Sequence, residues 1–123
     1  MNTYLTKAEN LYALSKKELN NAKQLNSEEL VRDASGKAWI ATTDALRGFL
    51  LKCGLSKNKL PKSERQRNDL LTEYGNKTMR LLYYSIRSQI HENAYYEGII
   101  NYIALFESFG DVKKFIHRCG NGG

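Results

Sequence analysis

Apolar residues recur along this chain at steps of three and four, the spacing that places side chains on one face of an α-helix. Leu5, Ala8, Tyr12, Ser15, Leu19 and Ala22 make the first such face, with Lys7, Lys16, Lys17, Glu18 and Lys23 falling mostly elsewhere. Asn20-Asn21 and Asn26-Ser27 bracket a weak connection, and Asn26-x-x-Glu29 reads as a capping box that opens the next helix. Val31, Ala34, Ala38, Ala41, Ala45 and Phe49 carry the second face, widened by Leu30, Leu46 and Leu50. Its alanines predict a closely approaching neighbour. Gly54 followed by Leu55 is a stop signal, since glycine takes the left-handed conformation and the next apolar residue folds back. The second helix is expected over about 27–53.

Residues 55–63 form a polar loop, and Ser63-x-x-Gln66 is a second capping box. From Leu70, Leu71 and Tyr74 the helical rhythm runs through Leu81, Leu82 and Ile86 to about His91. Gly75-Asn76 interrupts it, and because both sides keep one phase the expectation is a kink rather than a break. His91-Glu92-Asn93 reads as a turn. A last helix carries Tyr95, Ile99, Tyr102, Ile103 and Phe106, with an interruption at Phe109-Gly110-Asp111 before Val112, Phe115, Ile116 and Cys119. No strand signal and no internal repeat are present. Short connections predict antiparallel neighbours. The expectation is therefore an all-α, up-and-down antiparallel four-helix bundle, its last helix broken near Gly110, as one domain over 1–119 with a flexible tail at 120–123.

Composition adds a charge map. The 123 residues hold 19 Lys or Arg and 13 Asp or Glu, for a net charge of +6. Residues 1–46 and 68–123 are each balanced, so the whole excess lies in 47–67. There Arg47, Lys52, Lys57, Lys59, Lys62, Arg65 and Arg67 face Glu64 alone. Such a cluster is a candidate patch for polyanions, although a stacking surface for single strands would need more aromatics than Phe49. Arg47 and Lys52 suit the dipole at the end of the second helix. Arg65 and Arg67 stand at a helix start, where the dipole disfavours cations.

Other chemistry is excluded by what is missing. No apolar run is long enough to span a membrane. Met1 to Lys7 lack the character of a signal peptide, and Cys53 and Cys119 lack a Cys-x-x-Cys spacing. A cytoplasmic protein with free thiols is expected. There is no phosphate-binding loop, no dinucleotide fingerprint and no His-Glu-x-x-His. Two lone histidines, His91 and His117, and two distant cysteines predict neither metal nor cofactor, with His117 on the surface. Acids such as Glu28, Glu29 and Glu92 sit at helix ends and form no catalytic constellation.

The stretch Arg32-Asp33-Ala34-Ser35-Gly36-Lys37-Ala38-Trp39-Ile40-Ala41 resembles the second helix of the HEPN superfamily (higher eukaryotes and prokaryotes nucleotide-binding). Asn93-Ala94-Tyr95-Tyr96-Glu97-Gly98, following a helix that ends in His91, resembles an uncharacterised bacterial HEPN-like family of about this length. The resemblance covers about residues 4 to 119. It implies a four-helix up-down bundle, frequent homodimerisation and no assigned activity. Nucleolytic members of the superfamily carry an arginine, four to six intervening residues and then a histidine near the end of the third helix. Here Arg87-Ser88-Gln89-Ile90-His91 leaves three between.

Two site hypotheses follow. Arg87 and His91 lie one helical turn apart, as a metal-independent RNase would need: histidine for proton transfer, arginine for charge on the scissile phosphate. The plainer reading makes His91 a cap at a helix end and Arg87 its solvated neighbour. Tyr95, Tyr96, Glu97 and Gly98 form a candidate pocket or dimer seam, with Tyr95 expected to face the core. The chain reads as an interaction module, a homodimer without a catalytic constellation. The alternative is an RNA-directed nuclease, or an RNA- or nucleotide-binding partner in a toxin–antitoxin-type system, using Arg87, His91 and the basic stretch.

Overall fold

In the computed structural model, which describes residues 2–122, five α-helices account for most of the chain and no strand occurs among the described residues. They are α1 (Thr3–Leu25), α2 (Glu28–Lys52), α3 (Glu64–Tyr74), α4 (Lys77–Ile86) and α5 (Tyr102–Gly120). A 3₁₀ turn, Lys57–Lys59, lies in the loop before α3. Between α4 and α5 runs a ten-residue π-helical segment, Arg87–Tyr96.

α1 and α2 form the antiparallel hairpin that the periodicity predicts. Asn2 caps α1, its side chain accepting from the amides of Tyr4 and Leu5. Its amide nitrogen also donates to the Gly48 carbonyl at 2.8 Å, tying the start of α1 to the end of α2. At Gly48 a Cβ would lie 2.6 Å from Leu5 Cγ, so the two backbones close only because that position has no side chain. Ala8, Leu19 and Ala22 pack on Val31, Ala34, Ala38, Ala41 and Ala45, all fully buried. The turn differs from the expected one. Asn26 does not open α2 but ends α1 in the left-handed conformation (φ 49°). Ser27 is the actual cap of α2, its hydroxyl accepting from the Leu30 amide. Asparagine suits either role, and the αL position between two helices claimed it.

The end of α2 follows expectation. Gly54 has φ 98°, its amide donates to the Leu51 carbonyl, and the Leu55 amide donates to Leu50, the paired bonds of a Schellman stop. Ser63 caps α3 through the Gln66 amide. Gln66 reaches back one residue further than a capping box requires, accepting from the Lys62 amide at 2.7 Å.

The helix count is five, not four. At Gly75-Asn76 the chain breaks rather than kinks: Gly75 closes α3 through a bond to the Leu71 carbonyl, and the Asn76 side chain caps α4 by accepting from the Met79 amide. A local side-chain cap replaces the continuous ladder that a kink would have kept. The broken last helix is also corrected. α5 passes straight through Gly110, because Phe109, Val112, Phe115 and Ile116 on both sides bury against the same core. It extends to Gly120, with Asn121 capping it; Gly123 of the expected tail lies outside the described residues.

Directions follow from the contacts. The start of α5 meets the end of α1, where the Tyr102 hydroxyl lies 3.4 Å from the Ala22 carbonyl. The ends of α2 and α5 meet where Lys52 donates to the Gly120 carbonyl. Tyr83 of α4 packs on Phe115 of α5 and on Trp39 of α2, and all three lie in the apolar centre. α3 packs lightly against α2 and α4 and is the flanking element.

Candidate functional site

The chemistry-bearing residues meet where α2, α3, α4 and the π-helical segment converge. Ser63 fixes the start of α3, which places Glu64 in its first turn facing α4. That carboxylate is a hub. It accepts from the Tyr83 hydroxyl at 2.9 and 3.0 Å, from Arg67 at 3.0 and 3.1 Å, and from Arg87 at 3.1 Å. Burial, then the Glu64 charge, pushes the Tyr83 phenol far above its ordinary range, so it stays a neutral donor. Arg87 also lies 3.5 Å from Glu92, and its hydrogen bond to Glu64 holds its guanidinium the more firmly protonated.

Arg67 explains an oddity of the sequence. A cation at a helix start is disfavoured by the dipole, yet Arg67 pairs with Glu64, donates to the Tyr83 hydroxyl and stands 5.9 Å from the Trp39 ring centre. These three contacts are all within the fold. The rest of the basic stretch divides in the same way. Arg47 pairs with Asp44 and Lys52 bonds Gly120. Lys57, Lys59, Lys62 and Arg65 are exposed.

His91 does not form a turn. It sits within the π-helical segment, where backbone bonds span five residues instead of four, as from the Glu97 amide to the Glu92 carbonyl. The wider turn carries a row of side chains four apart, Arg87, His91 and Tyr95, along one side, while Ile86, Ile90 and Ala94 line the core. The imidazole stacks on Trp39 with centroids 4.5 Å apart and planes at 15°. Tyr95 lies nearly parallel to it at 6.2 Å, and Tyr96 meets it edge-on at 4.9 Å. Its Nδ1 is buried without a hydrogen-bond partner among the described residues. Burial lowers the His91 pKa below its usual value. Glu64 and Glu92 oppose that shift while Arg67 and Arg87 reinforce it.

Arg87 and His91 therefore share one side of one segment but are held by different partners, Arg87 by two carboxylates and His91 by Trp39. The two arginines and two glutamates of the cluster balance in charge.

Tyr95 departs from its expected core position and is 40% exposed. Its ring lies across Gly36 of α2, where a Cβ would come within 3.0 Å of Cε1. Tyr96 and Glu97 are exposed, and Gly98 turns the chain with φ 66° beside Arg32 and Glu28. α5 starts only at Tyr102, because Asn101 caps it by accepting from the Ala104 amide. The expected stripe through Ile99 and Ile103 is thus displaced. Those residues are 56% and 77% exposed, and Leu105, Ser108 and Phe109 begin the buried face instead.

Sequence reasoning missed Glu64, Tyr83 and Trp39. Only the capping box before Glu64 carried a usable signal, since it placed that acid in a first turn. Cys53 is exposed and Cys119 buried, both free, and burial pushes the Cys119 thiol well up. Among the described residues no three His, Cys, Asp or Glu gather as metal ligands, and no helix is long and apolar enough to cross a membrane.

Residues 10–107 match the archaeal PaREP1/PaREP8 family. The name of this family is archaeal, whereas the tyrosine-rich element pointed to a bacterial one. No curated protein and no solved structure matches the chain.

Proposed function

We propose that this chain, which belongs to the archaeal PaREP1/PaREP8 family, is a cytoplasmic HEPN-like binding module that pairs with a second copy through the π-helical segment and the start of α5. The HEPN-like reading is supported by the run of the helices. α1, α2, α4 with its π-helical extension, and α5 alternate in direction, and α3 is an addition at the side.

The observation that carries the pairing is the exposure of Tyr96, Ile99 and Ile103, at 64%, 56% and 77%, within eight residues. Large apolar side chains so concentrated mark interaction surfaces more often than scattered ones do. The π-helical segment that leads into this surface is held by Glu64, Trp39 and Gly36 through Arg87, His91 and Tyr95. Balanced charge in the Glu64 cluster, and the separate anchoring of Arg87 and His91, favour this reading over catalysis.

Light scattering at high micromolar concentration tests it. A dimer mass is expected, and Ile99→Lys with Ile103→Lys shifts it to monomer with unchanged helical circular dichroism. A monomeric wild type refutes the pairing.

One observation favours the RNA-directed alternative. Lys57, Lys59, Lys62 and Arg65 form no ion pair among the described residues and are exposed along the connection and the first turn of α3. That alternative expects RNA retention that falls steeply with salt and is lost when Lys57, Lys59 and Lys62 become glutamine. No retention at low salt eliminates it.

A further inference from the structure

On the side of the bundle away from the Glu64 cluster, α1 and α5 leave a groove of about 460 Å³ between them. Tyr12 and Ile116 contribute its apolar surface, with Ile116 only 5% exposed and Tyr12 half-buried enough that its phenol pKa is raised. Lys113, Lys114 and His117 stand along one edge, and Glu9 is the single acid among the described lining residues. Two further depressions open from the same place and share His117 with it, one toward Lys52 and Asn121, the other toward Leu82 and Arg118.

The cations here are only partly explained by the helix that carries them. His117 and Arg118 lie in the last turn of α5, where the dipole favours positive charge. Lys113 and Lys114 lie well before that turn. Elsewhere on α1, Lys16 and Lys23 lie over the ring of Phe106, at 4.8 and 5.6 Å. Among the described residues Lys113 and Lys114 have no such aromatic or acidic counterpart, and both are exposed. The groove volume lies within the range of small-molecule sites, which are mostly apolar with a few fixed polar groups.

We propose that this α1–α5 groove binds a small amphiphilic anion, its apolar body against Tyr12 and Ile116 and its carboxylate, sulfonate or phosphate between Lys113 and Lys114. Charge complementarity selects the class. A neutral apolar molecule would leave two ammonium groups unused, and a purely inorganic anion would leave the apolar surface wet. Glu9 sets the opposite edge and disfavours a dianion lying flat across the groove.

The test uses the full chain and 8-anilinonaphthalene-1-sulfonate, an apolar anion whose fluorescence reports binding. Saturable binding is expected. Octanoate should displace the probe and octanol should not. Lys113→Gln with Lys114→Gln should weaken binding about five-fold, the scale of two exposed ionic contacts. Glu9→Gln should strengthen it, and the uncharged probe N-phenyl-1-naphthylamine should respond to neither change. These substitutions lie on exposed side chains and leave the Tyr96–Ile103 surface untouched, so self-association and anion binding fail or succeed separately. Absence of saturable binding overturns the proposal, as does an affinity that ignores both charge changes.

Discussion

Glu64 is the residue on which the arrangement of α3, α4 and the π-helical segment depends, and replacing it by alanine tests that dependence. The carboxylate joins Arg67, Tyr83 and Arg87, one from its own helix and two from beyond it. Its side chain is 33% exposed, and those of Arg67 and Arg87 are 15% and 31% exposed. Exposed ion pairs are worth about 0–1 kcal/mol, whereas breaking a buried one costs about 3–5 kcal/mol. Two pairs whose members are a third exposed or less fall between these limits. The buried Tyr83 hydroxyl, left without its acceptor, adds about 1 kcal/mol. Glu64→Ala should therefore cost about 2–3 kcal/mol in urea unfolding. Glu64→Gln keeps an acceptor for Tyr83 and should cost about 1 kcal/mol less than that. A double-mutant cycle with Arg87→Met should show coupling of about 1 kcal/mol. Hydrogen exchange supplies the regional readout: amides in 88–97 should lose protection while those of the α1–α2 hairpin keep it. A loss below about 0.5 kcal/mol for Glu64→Ala, or unchanged exchange in the segment, would refute the hub.

Two glycines should respond with opposite signs. Gly98→Ala forces a positive φ and pushes on Arg32 and Glu28, costing about 1–2 kcal/mol. Gly110→Ala meets nothing within 4 Å in the middle of α5 and should gain about 0.5–1 kcal/mol; thermal unfolding of both checks this, and equal signs would contradict the assigned geometry. His91 makes a pH prediction. Its folded pKa is lowered by burial, so the unfolded chain takes up the proton first. The stability it contributes is full above about pH 6.5 and is lost as pH falls through the folded value. Wild type should thus lose more stability than His91→Gln between pH 7.5 and 5, and parallel losses would be inconsistent with the buried imidazole.

The caps and the first two helices were legible because their causes are local. Gly54-Leu55 stops α2 through bonds within six residues, and Ser63 starts α3 through an amide three residues on. The alanines of α2 announced a close neighbour because small side chains at helical spacing leave room for one. Where two local solutions competed, the reading went astray. Asn26 suits an N-cap and an αL stop equally, and Gly75-Asn76 keeps a common phase whether the helix kinks or breaks. At Gly110 the intrinsic cost of glycine was outweighed by burial of Phe109 and Val112 on either side.

By itself, then, the sequence determined an all-helical chain, the α1–α2 hairpin, and a basic excess confined to 47–67, since periodicity, caps and charge are properties of neighbours along the chain. Only the tertiary structure decided that Arg67 pairs with Glu64 and Tyr83, that His91 stacks on Trp39, and that residues 87–96 widen into a π-helix. Each of these depends on a group distant in sequence: Glu64 lies 23 residues from Arg87, and Trp39 faces His91 across the bundle. Helical spacing says which side chains share a face. Which partner that face meets is settled only when the helices pack.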